Sequence, residues 1–300
     1  MLKIIVFLTL YFYYWKSFSE SLYNTFLFIF LMNVYHLAYW IYTILRRKRK
    51  NFMDLYGKNS WALVTCATNP IGKELCKQIA LSGFNMILVG TDFEEVSHLS
   101  QDLRALSPNM EVKRVVYDFN SQMTSKEYLD VFKEFECIDI SLIVNNTDKP
   151  EVKNFADTAM EDLEEIINLN IRPQILITKI FIQNLIKRKR SAVINISSGL
   201  SIIPNKMQAM YAATKKTQDY LSRALYEEYS GKIDFLTVRP FNVHNEGEKP
   251  KMFSVSTAVF ARNIMNSLGY DKVTYGHWKH QVLGYLAELL PRSIAQRFLF

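Results

Sequence analysis

The stretch AVINISS, residues 192–198, is an uncharged run of strand length that closes on two serines. A segment of helical period, Met207–Glu228, follows it, and then a second apolar run, Ile233–Val238. Strand, crossover helix and strand in that order describe a parallel βαβ unit. The same alternation runs upstream: apolar Trp61–Cys66, Met86–Val89, Val112–Tyr117 and Ile138–Val144 are separated by helix-like segments. These are Ile71 to about Ser82, Phe93–Leu106, Ser125–Glu136 and a long one over about Thr158–Lys187. Short continuous apolar strands between amphipathic helices predict a doubly wound parallel α/β sheet with helices on both faces.

Before Asn51 the pattern is different. Residues 22–45 read LYNTFLFIFLMNVYHLAYWIYTIL and contain no Lys, Arg, Asp or Glu. About 20 apolar residues suffice to cross a bilayer as a helix. Tyr and Trp crowd the C-terminal end of this stretch, and the basic run Arg46–Lys50 follows at once, as a cytosolic flank would. Residues 1–50 are therefore expected to be a membrane anchor with a transmembrane helix over about 22–45. Residues 4–15 are apolar but short, and read as an interfacial or re-entrant piece or a second crossing. Residues 51–300 form the second domain, long enough for a sizeable core. Its end, about 281–300, is amphipathic, with Val282, Leu283, Tyr285, Leu286, Leu289 and Leu290 before Pro291. That segment suits packing on the domain, covering a substrate mouth or docking to a bilayer.

The formal net charge is +7. Much of the excess lies in Arg46–Lys50 and in Lys187-Arg188-Lys189-Arg190. Neither run sits in an aromatic platform or a recognition-helix pattern, so nucleic-acid binding is not expected. Cys66, Cys76 and Cys137 match no zinc or redox spacing and read as reduced thiols, with Cys76 and Cys137 as small buried hydrophobes. His277-x-x-His280 lacks a carboxylate or cysteine to complete a metal site, so no metal is expected and a structural role is read. His98 falls on a solvated helix face.

Chemistry concentrates around Tyr211-Ala212-Ala213-Thr214-Lys215. The i,i+4 spacing puts phenol and ammonium on one helix face, where the cation is expected to lower the phenol's pKa. Ser198 lies at the end of the preceding strand, and Asn170 lies in INLN of the long helix. In order and spacing this set resembles the short-chain dehydrogenase/reductase family over about residues 55–285. It is nearest to the membrane-bound 17β-hydroxysteroid dehydrogenase and very-long-chain 3-oxoacyl-CoA reductase branch, which shares the anchor, Asn195–Gly199 (NISSG) and Glu227–Tyr229 (EEY). The resemblance implies a Rossmann-type fold and four catalytic roles. Tyr211 protonates the carbonyl, Lys215 binds the nicotinamide ribose and lowers the tyrosine pKa, and Ser198 hydrogen-bonds the carbonyl oxygen. Asn170 kinks its helix and holds a water.

The cofactor loop departs from that pattern. Thr65-Cys66-Ala67-Thr68-Asn69-Pro70-Ile71-Gly72 keeps only the last of three glycines, with Cys66 and Pro70 in the places of the others. By resemblance Thr65, Thr68, Ile71 and Gly72 are cofactor-binding candidates, and so are Thr91, Asp92, Asp118, Asn145, Pro240 and Val243, beside Tyr211 and Lys215. Asn145-Asn146 matches the first half of Asn-Asn-Ala-Gly, and Thr147-Asp148 replaces the second. His244 stands where a Thr commonly meets phosphate. Gly90-Thr91-Asp92 lacks the Arg that would meet a 2′-phosphate, so NADPH is the default and NADH the alternative.

The expected function is a membrane-anchored NAD(P)(H)-dependent oxidoreductase of the endoplasmic reticulum, its catalytic domain facing the cytosol. Its substrate would be a steroid, a long-chain 3-oxoacyl-CoA or another lipophilic carbonyl. A homodimer is expected by analogy. The altered loop keeps a second reading open, a catalytically impaired relative with a binding or scaffolding role.

Overall fold

The computed structural model describes residues 2–45, 51–120 and 124–299. The chain divides into two compact units, residues 1–49 and 50–300.

The first unit is one helix, α1 (Leu2–Leu45), so the apolar stretches 4–15 and 22–45 are continuous instead of separate pieces. Residues 15–35 are exposed, among them Trp15, Phe18, Phe26, Phe28 and Phe30. Among the described residues no helix is long and apolar enough to cross a membrane, so the span expected over 22–45 is not found. Asn24, Asn33 and the interspersed tyrosines dilute the apolar content of that stretch. The expected basic flank, Arg46–Lys50, lies outside the described residues.

The second unit begins with α2 (Phe52–Tyr56), β1 (Trp61–Val64), α3 (Pro70–Leu81), β2 (Asn85–Gly90), α4 (Phe93–Leu106), β3 (Val112–Val116) and α5 (Ser125–Phe132). It continues with β4 (Ile140–Asn145), α6 (Met160–Asn170), α7 (Arg172–Lys187), β5 (Ser191–Ile196), α8 (Ala209–Glu228) and β6 (Ile233–Val238). Last come β7 (Val243–His244), β8 (Val255–Ser256), α9 (Thr257–Ser267), β9 (Val273–Thr274), α10 (Trp278–Leu289) and α11 (Arg292–Leu299).

Seven strands form one sheet in the order β3-β2-β1-β4-β5-β6-β9, every pair parallel. Strand order reverses between β1 and β4, which opens the crevice of a doubly wound sheet at their carboxyl ends. The short β9 adds an edge that the apolar pattern does not announce, and β7 and β8 pair separately.

Period-two alternation sorts the strand residues onto two cores. Ala62, Val64, Met86, Leu88, Leu142, Val144, Ala192, Ile194, Leu236 and Val238 share one cluster. Their chain neighbours Leu63, Ile87, Val89, Ile143, Val193 and Phe235 share the other, against Phe132, Ile177 and Phe181. Both faces of the sheet are buried, which is why these strands read as unbroken apolar runs.

The long helix expected over 158–187 is two helices. The break falls at Ile171, which caps both, and Pro173 follows it in the first turn of α7. Proline has no N–H to continue α6 and disfavours helical geometry in the residue before it. The break leaves Asn170 as the last residue of α6, buried.

The second basic run is partly consumed inside the domain. Arg190 grips Asp234 with two hydrogen bonds of 2.6 and 3.0 Å, and Tyr56 donates to the same carboxylate at 2.8 Å. Arg188 donates to Asp139 and to the Tyr56 carbonyl. These contacts tie α2 to the amino-terminal edge of the sheet. Cys76 is buried as expected; Cys137 is exposed, because it follows the turn after α5 and not a packed strand. His98 is exposed on α4.

After Pro291 the amphipathic tail restarts as α11. Gly284 lets α10 lie against Tyr275, since a Cβ there would come within 2.2 Å of its ring. Trp278, Val282, Tyr285 and Leu289 remain exposed.

His280 is fully buried between Phe241 and Phe260, and its Nε2 donates to the Asn242 carbonyl at 3.1 Å. Among the described residues no group of three or more His, Cys, Asp or Glu could hold a metal. Burial pulls the imidazole pKa down to about 4. The folded value lies below the unfolded one of about 6.5, so protons bind the unfolded chain first. Stability contributed by neutral His280 should be full above pH of about 6.5 and lost as pH falls toward 4. Urea midpoints from pH 7.5 to 4.5 should therefore fall more steeply for wild type than for His280→Gln. Parallel curves would contradict it.

Candidate active site

The site is built on the buried face of α8. Positions 211, 214, 215, 218, 219 and 222 recur at helical spacing, yet they carry Tyr, Thr, Lys, Gln, Asp and Ser, all buried. A core-facing stripe normally holds aliphatic residues. Polar groups persist there only if each finds a partner.

Each one does. Ser222 accepts from Asn195 Nδ2 at 2.9 Å, and Asn195 accepts from Asn145 at 2.8 Å. This chain links α8 to the ends of β5 and β4. Asp219 is paired with Arg239, at 2.7 Å to Nε and 3.2 Å to the terminal nitrogen, and Arg239 reaches on to Tyr275 and Glu288. Gln218 donates to the carbonyl of Asn170. Thr214 donates to the Tyr211 carbonyl and accepts from Asn170 Nδ2 at 3.2 Å. Asn170 also fixes the loop after β4: its Oδ1 accepts from the Lys149 N–H at 2.8 Å, and its amide donates to the Lys149 carbonyl at 3.2 Å. The helix break at Ile171 puts Asn170 where it can do this.

The structure brings Ser198, Tyr211, Lys215 and Asn170 together. Ser198 follows β5, accepts from the Leu200 N–H at 3.2 Å, and lies close enough to Tyr211 to hold its pKa down. Lys215 is fully buried, 5.6 Å from the Tyr211 ring centroid. Its ammonium donates to the carbonyls of Thr147 at 3.1 Å and Ile196 at 3.4 Å, which close the carboxyl ends of β4 and β5.

Asp148 is the residue without an assigned role in the sequence. One oxygen, Oδ1, accepts from Tyr211 Oη at 3.0 Å and lies 2.9 Å from Lys215 Nζ. The consequence corrects an expectation. Lys215 does not lower the pKa of Tyr211; burial raises it well above 10, and the charge of Asp148 and its hydrogen bond raise it further. Only Ser198 opposes the rise. The same carboxylate oxygen offsets the charge of the Lys215 ammonium. Thr147-Asp148 in place of Ala-Gly was the signal in the sequence.

The loop after β1 keeps the course that glycines usually supply. Cys66 sits at φ +46°, a left-handed conformation that costs a side-chain-bearing residue some strain. Burial, and then the charge of Asp148, push its thiol up to about 12, so it is an inert thiol. A Cβ on Gly72 would stand 2.4 Å from the Cys66 carbonyl oxygen and 2.8 Å from Asn146 Nδ2. Asn69 caps α3 by accepting the Gly72 N–H at 2.6 Å and exchanges hydrogen bonds with Asn146. Pro70, the first residue of α3, offers no N–H.

Other expected cofactor residues divide into two groups. Thr65 is buried and accepts the Asn146 N–H at 2.9 Å, and Asn145 is buried in the sheet network, so both hold the scaffold. Thr68 and Ile71 are half-buried on the loop, and Thr91 is exposed after β2. Asp92 caps α4 by accepting the Glu95 N–H at 2.8 Å. Exposed Asp118 accepts the Asn120 N–H at 2.9 Å. The Pro240 carbonyl accepts the Gly199 N–H at 2.8 Å, and Val243 and His244 form β7. Gln218, Asp219 and Arg239 belong to the site's support and carried no recognisable motif.

The residues that would hold a nicotinamide dinucleotide are the Thr65–Gly72 loop, which turns at Cys66 as a glycine would let it, and the face shared by Tyr211 and Lys215. Two donors among them, the Gly72 N–H and the Lys215 ammonium, are engaged by Asn69 and Asp148.

The family described as short chain dehydrogenase matches residues 60–251. A very-long-chain 3-oxoacyl-CoA reductase of Caenorhabditis briggsae is 29% identical over 248 residues, 80% of this chain and 78% of that protein. The human protein named inactive hydroxysteroid dehydrogenase-like protein 1 is 30% identical over 253 residues, 81% of this chain and 75% of that protein. A solved 7β-hydroxysteroid dehydrogenase superposes with a TM-score of 0.72 at 20% identity, covering 83% of this chain and 99% of that one. A short-chain dehydrogenase from Shigella flexneri complexed with NADP superposes at 0.65 with 16% identity, over 72% of this chain and 96% of that one. At these identities the two structures speak for the fold.

Gly72→Ala forces the loop to shift against main-chain oxygen and should cost about 1–3 kcal/mol of stability, read from the urea midpoint. A midpoint equal to that of wild type would contradict the close packing of loop and helix.

Proposed function

The chain belongs to the short-chain dehydrogenase family, and we propose that it is a nicotinamide-dependent oxidoreductase interconverting a ketone and a secondary alcohol on a lipophilic substrate. The observation that carries this reading is the buried polar face of α8. It sets Tyr211 and Lys215 beside Ser198, at the carboxyl ends of strands where this architecture binds ligands.

The dinucleotide would lie against the Thr65–Gly72 loop and Lys215, and when bound it supplies or accepts the hydride. NADPH is the default, with NADH the alternative because Asp92 follows β2 where a cation would meet a 2′-phosphate. In the reductive direction the Tyr211 hydroxyl donates its proton to the carbonyl oxygen. Ser198 hydrogen-bonds the same oxygen and stabilises the charge that develops on it. Lys215 holds the nicotinamide ribose. Asn170 holds the loop that carries Asp148 and keeps α8 seated, through Thr214 and Gln218.

The substrate class follows from the relatives and from α1. A steroid and a long-chain 3-oxoacyl-CoA both partition into membranes. The exposed aromatic surface of α1 suits an interface with lipid. We place the chain at the endoplasmic reticulum membrane with the second unit on the cytosolic side.

One observation favours a second reading, a catalytically impaired relative that binds without turning over. Asp148 holds the proton donor of the site and keeps its pKa high, and Pro70 removes a backbone donor from the loop.

Activity of the full chain in detergent micelles toward a long-chain 3-ketone, with NADPH and then NADH, separates the two. Turnover should be measurable and should fall by about 10²–10⁴-fold in Tyr211→Phe, with an unchanged circular dichroism spectrum. Turnover equal in the variant would refute the role of Tyr211. Absence of turnover in the wild type with either dinucleotide would favour the impaired reading.

A further inference from the structure

We propose that Asp148 is an internal gate on the dinucleotide site, an intramolecular ligand that must leave Lys215 and Tyr211 before a nicotinamide ribose can take its place. The proposal rests on the oxidoreductase reading above and adds a residue that sets cofactor affinity.

A lysine ammonium has three N–H donors and no acceptor. In Lys215 they are directed at the Thr147 carbonyl, the Ile196 carbonyl and Asp148 Oδ1. Nothing remains for a ligand hydroxyl. Tyr211 has one O–H, and it too goes to Asp148 Oδ1. Any ligand that Tyr211 and Lys215 are to hold must therefore displace one of these acceptors.

The three acceptors are not equally displaceable. Thr147, two residues past β4, and Ile196, the last residue of β5, are fully or nearly buried and accept through main-chain carbonyls. The Asp148 side chain is 38% exposed, on the loop after β4, and can rotate into solvent without moving the sheet. It is the acceptor built to leave.

Its charge acts in the same sense. While Asp148 is seated, its negative charge offsets the Lys215 ammonium and disfavours an anionic ligand. A dinucleotide carries phosphates and a nicotinamide ribose diol, so it meets both the occupied donors and the adverse charge. Apparent affinity is then the intrinsic affinity reduced by the fraction of molecules with the gate open.

The test is a titration of NADPH and of NADH into the full chain in detergent micelles, followed by nicotinamide fluorescence. Wild type, Asp148→Ala and Asp148→Asn are compared. Asp148→Asn keeps a neutral acceptor of the same shape, which guards against loss of folding when the buried ammonium loses its partner; circular dichroism melts report the fold of each. The gate predicts a dissociation constant lower by about tenfold or more in Asp148→Ala, and a smaller gain in the same direction in Asp148→Asn. Affinity equal to or weaker than wild type in the folded variants would overturn the gate while leaving the oxidoreductase reading intact. No binding in wild type or in any folded variant would overturn the gate and that reading together.

Discussion

The ammonium of Lys215 is the constraint on which the domain's centre depends. An unpaired buried cation is prohibitively costly, so the chain must supply acceptors on every side of it. Two are carbonyls at the ends of adjacent strands and the third is a carboxylate from the loop between β4 and α6. Meeting that demand fixes where β4 and β5 end and how α8 lies across them. The remaining buried polar groups of α8 extend the same bargain along the helix, each meeting a strand end, a loop or a neighbouring helix. The result is a polar seam inside an otherwise apolar fold.

That seam links architecture to chemistry. Parallel strands bury both faces and leave only their ends for ligands. The order reversal between β1 and β4 brings the Thr65–Gly72 loop beside Asn146–Asp148. Tyr211, Ser198 and the buried Lys215 ammonium therefore stand at the carboxyl edge of the sheet, where this architecture binds ligands. Whether that edge acts on a ligand is governed by Asp148, which satisfies the lysine at the expense of the tyrosine's acidity.

Much of the fold was legible because most strands are apolar runs: β1, β2 and β4 to β6, with α3, α4 and α8, fall close to where periodicity puts them, while β3 (VKRVV) is a largely exposed strand. The split between α6 and α7 was hidden because amphipathic periodicity runs through Ile171, and only Pro173 marks the break. β9 was hidden because two residues carry no periodicity. α1 read as two pieces because Lys16 and Glu20 interrupt its apolar character, although charges on an exposed helix do not stop it. Within the site, Ser198, Tyr211, Lys215 and Asn170 were recognisable from spacing. The pairing of Asp148 with Tyr211 and Lys215 was not, because it joins residues 63 positions apart through a loop whose course no local pattern specifies. The direction of the Tyr211 shift is hidden too: the i,i+4 spacing shows the cation, and neither the burial of the phenol nor its Asp148 neighbour.

The central claim is that this edge of the sheet transfers hydride to a lipophilic carbonyl. The most direct measurement incubates the full chain, in detergent micelles, with a long-chain 3-ketone and NADPH or NADH carrying deuterium in place of both hydrogens at nicotinamide C4, and examines the alcohol by mass spectrometry. The account predicts deuterium at the carbinol carbon with wild type, and none above background with Tyr211→Phe. An alcohol without deuterium, or no alcohol from folded wild type with either dinucleotide, would contradict it.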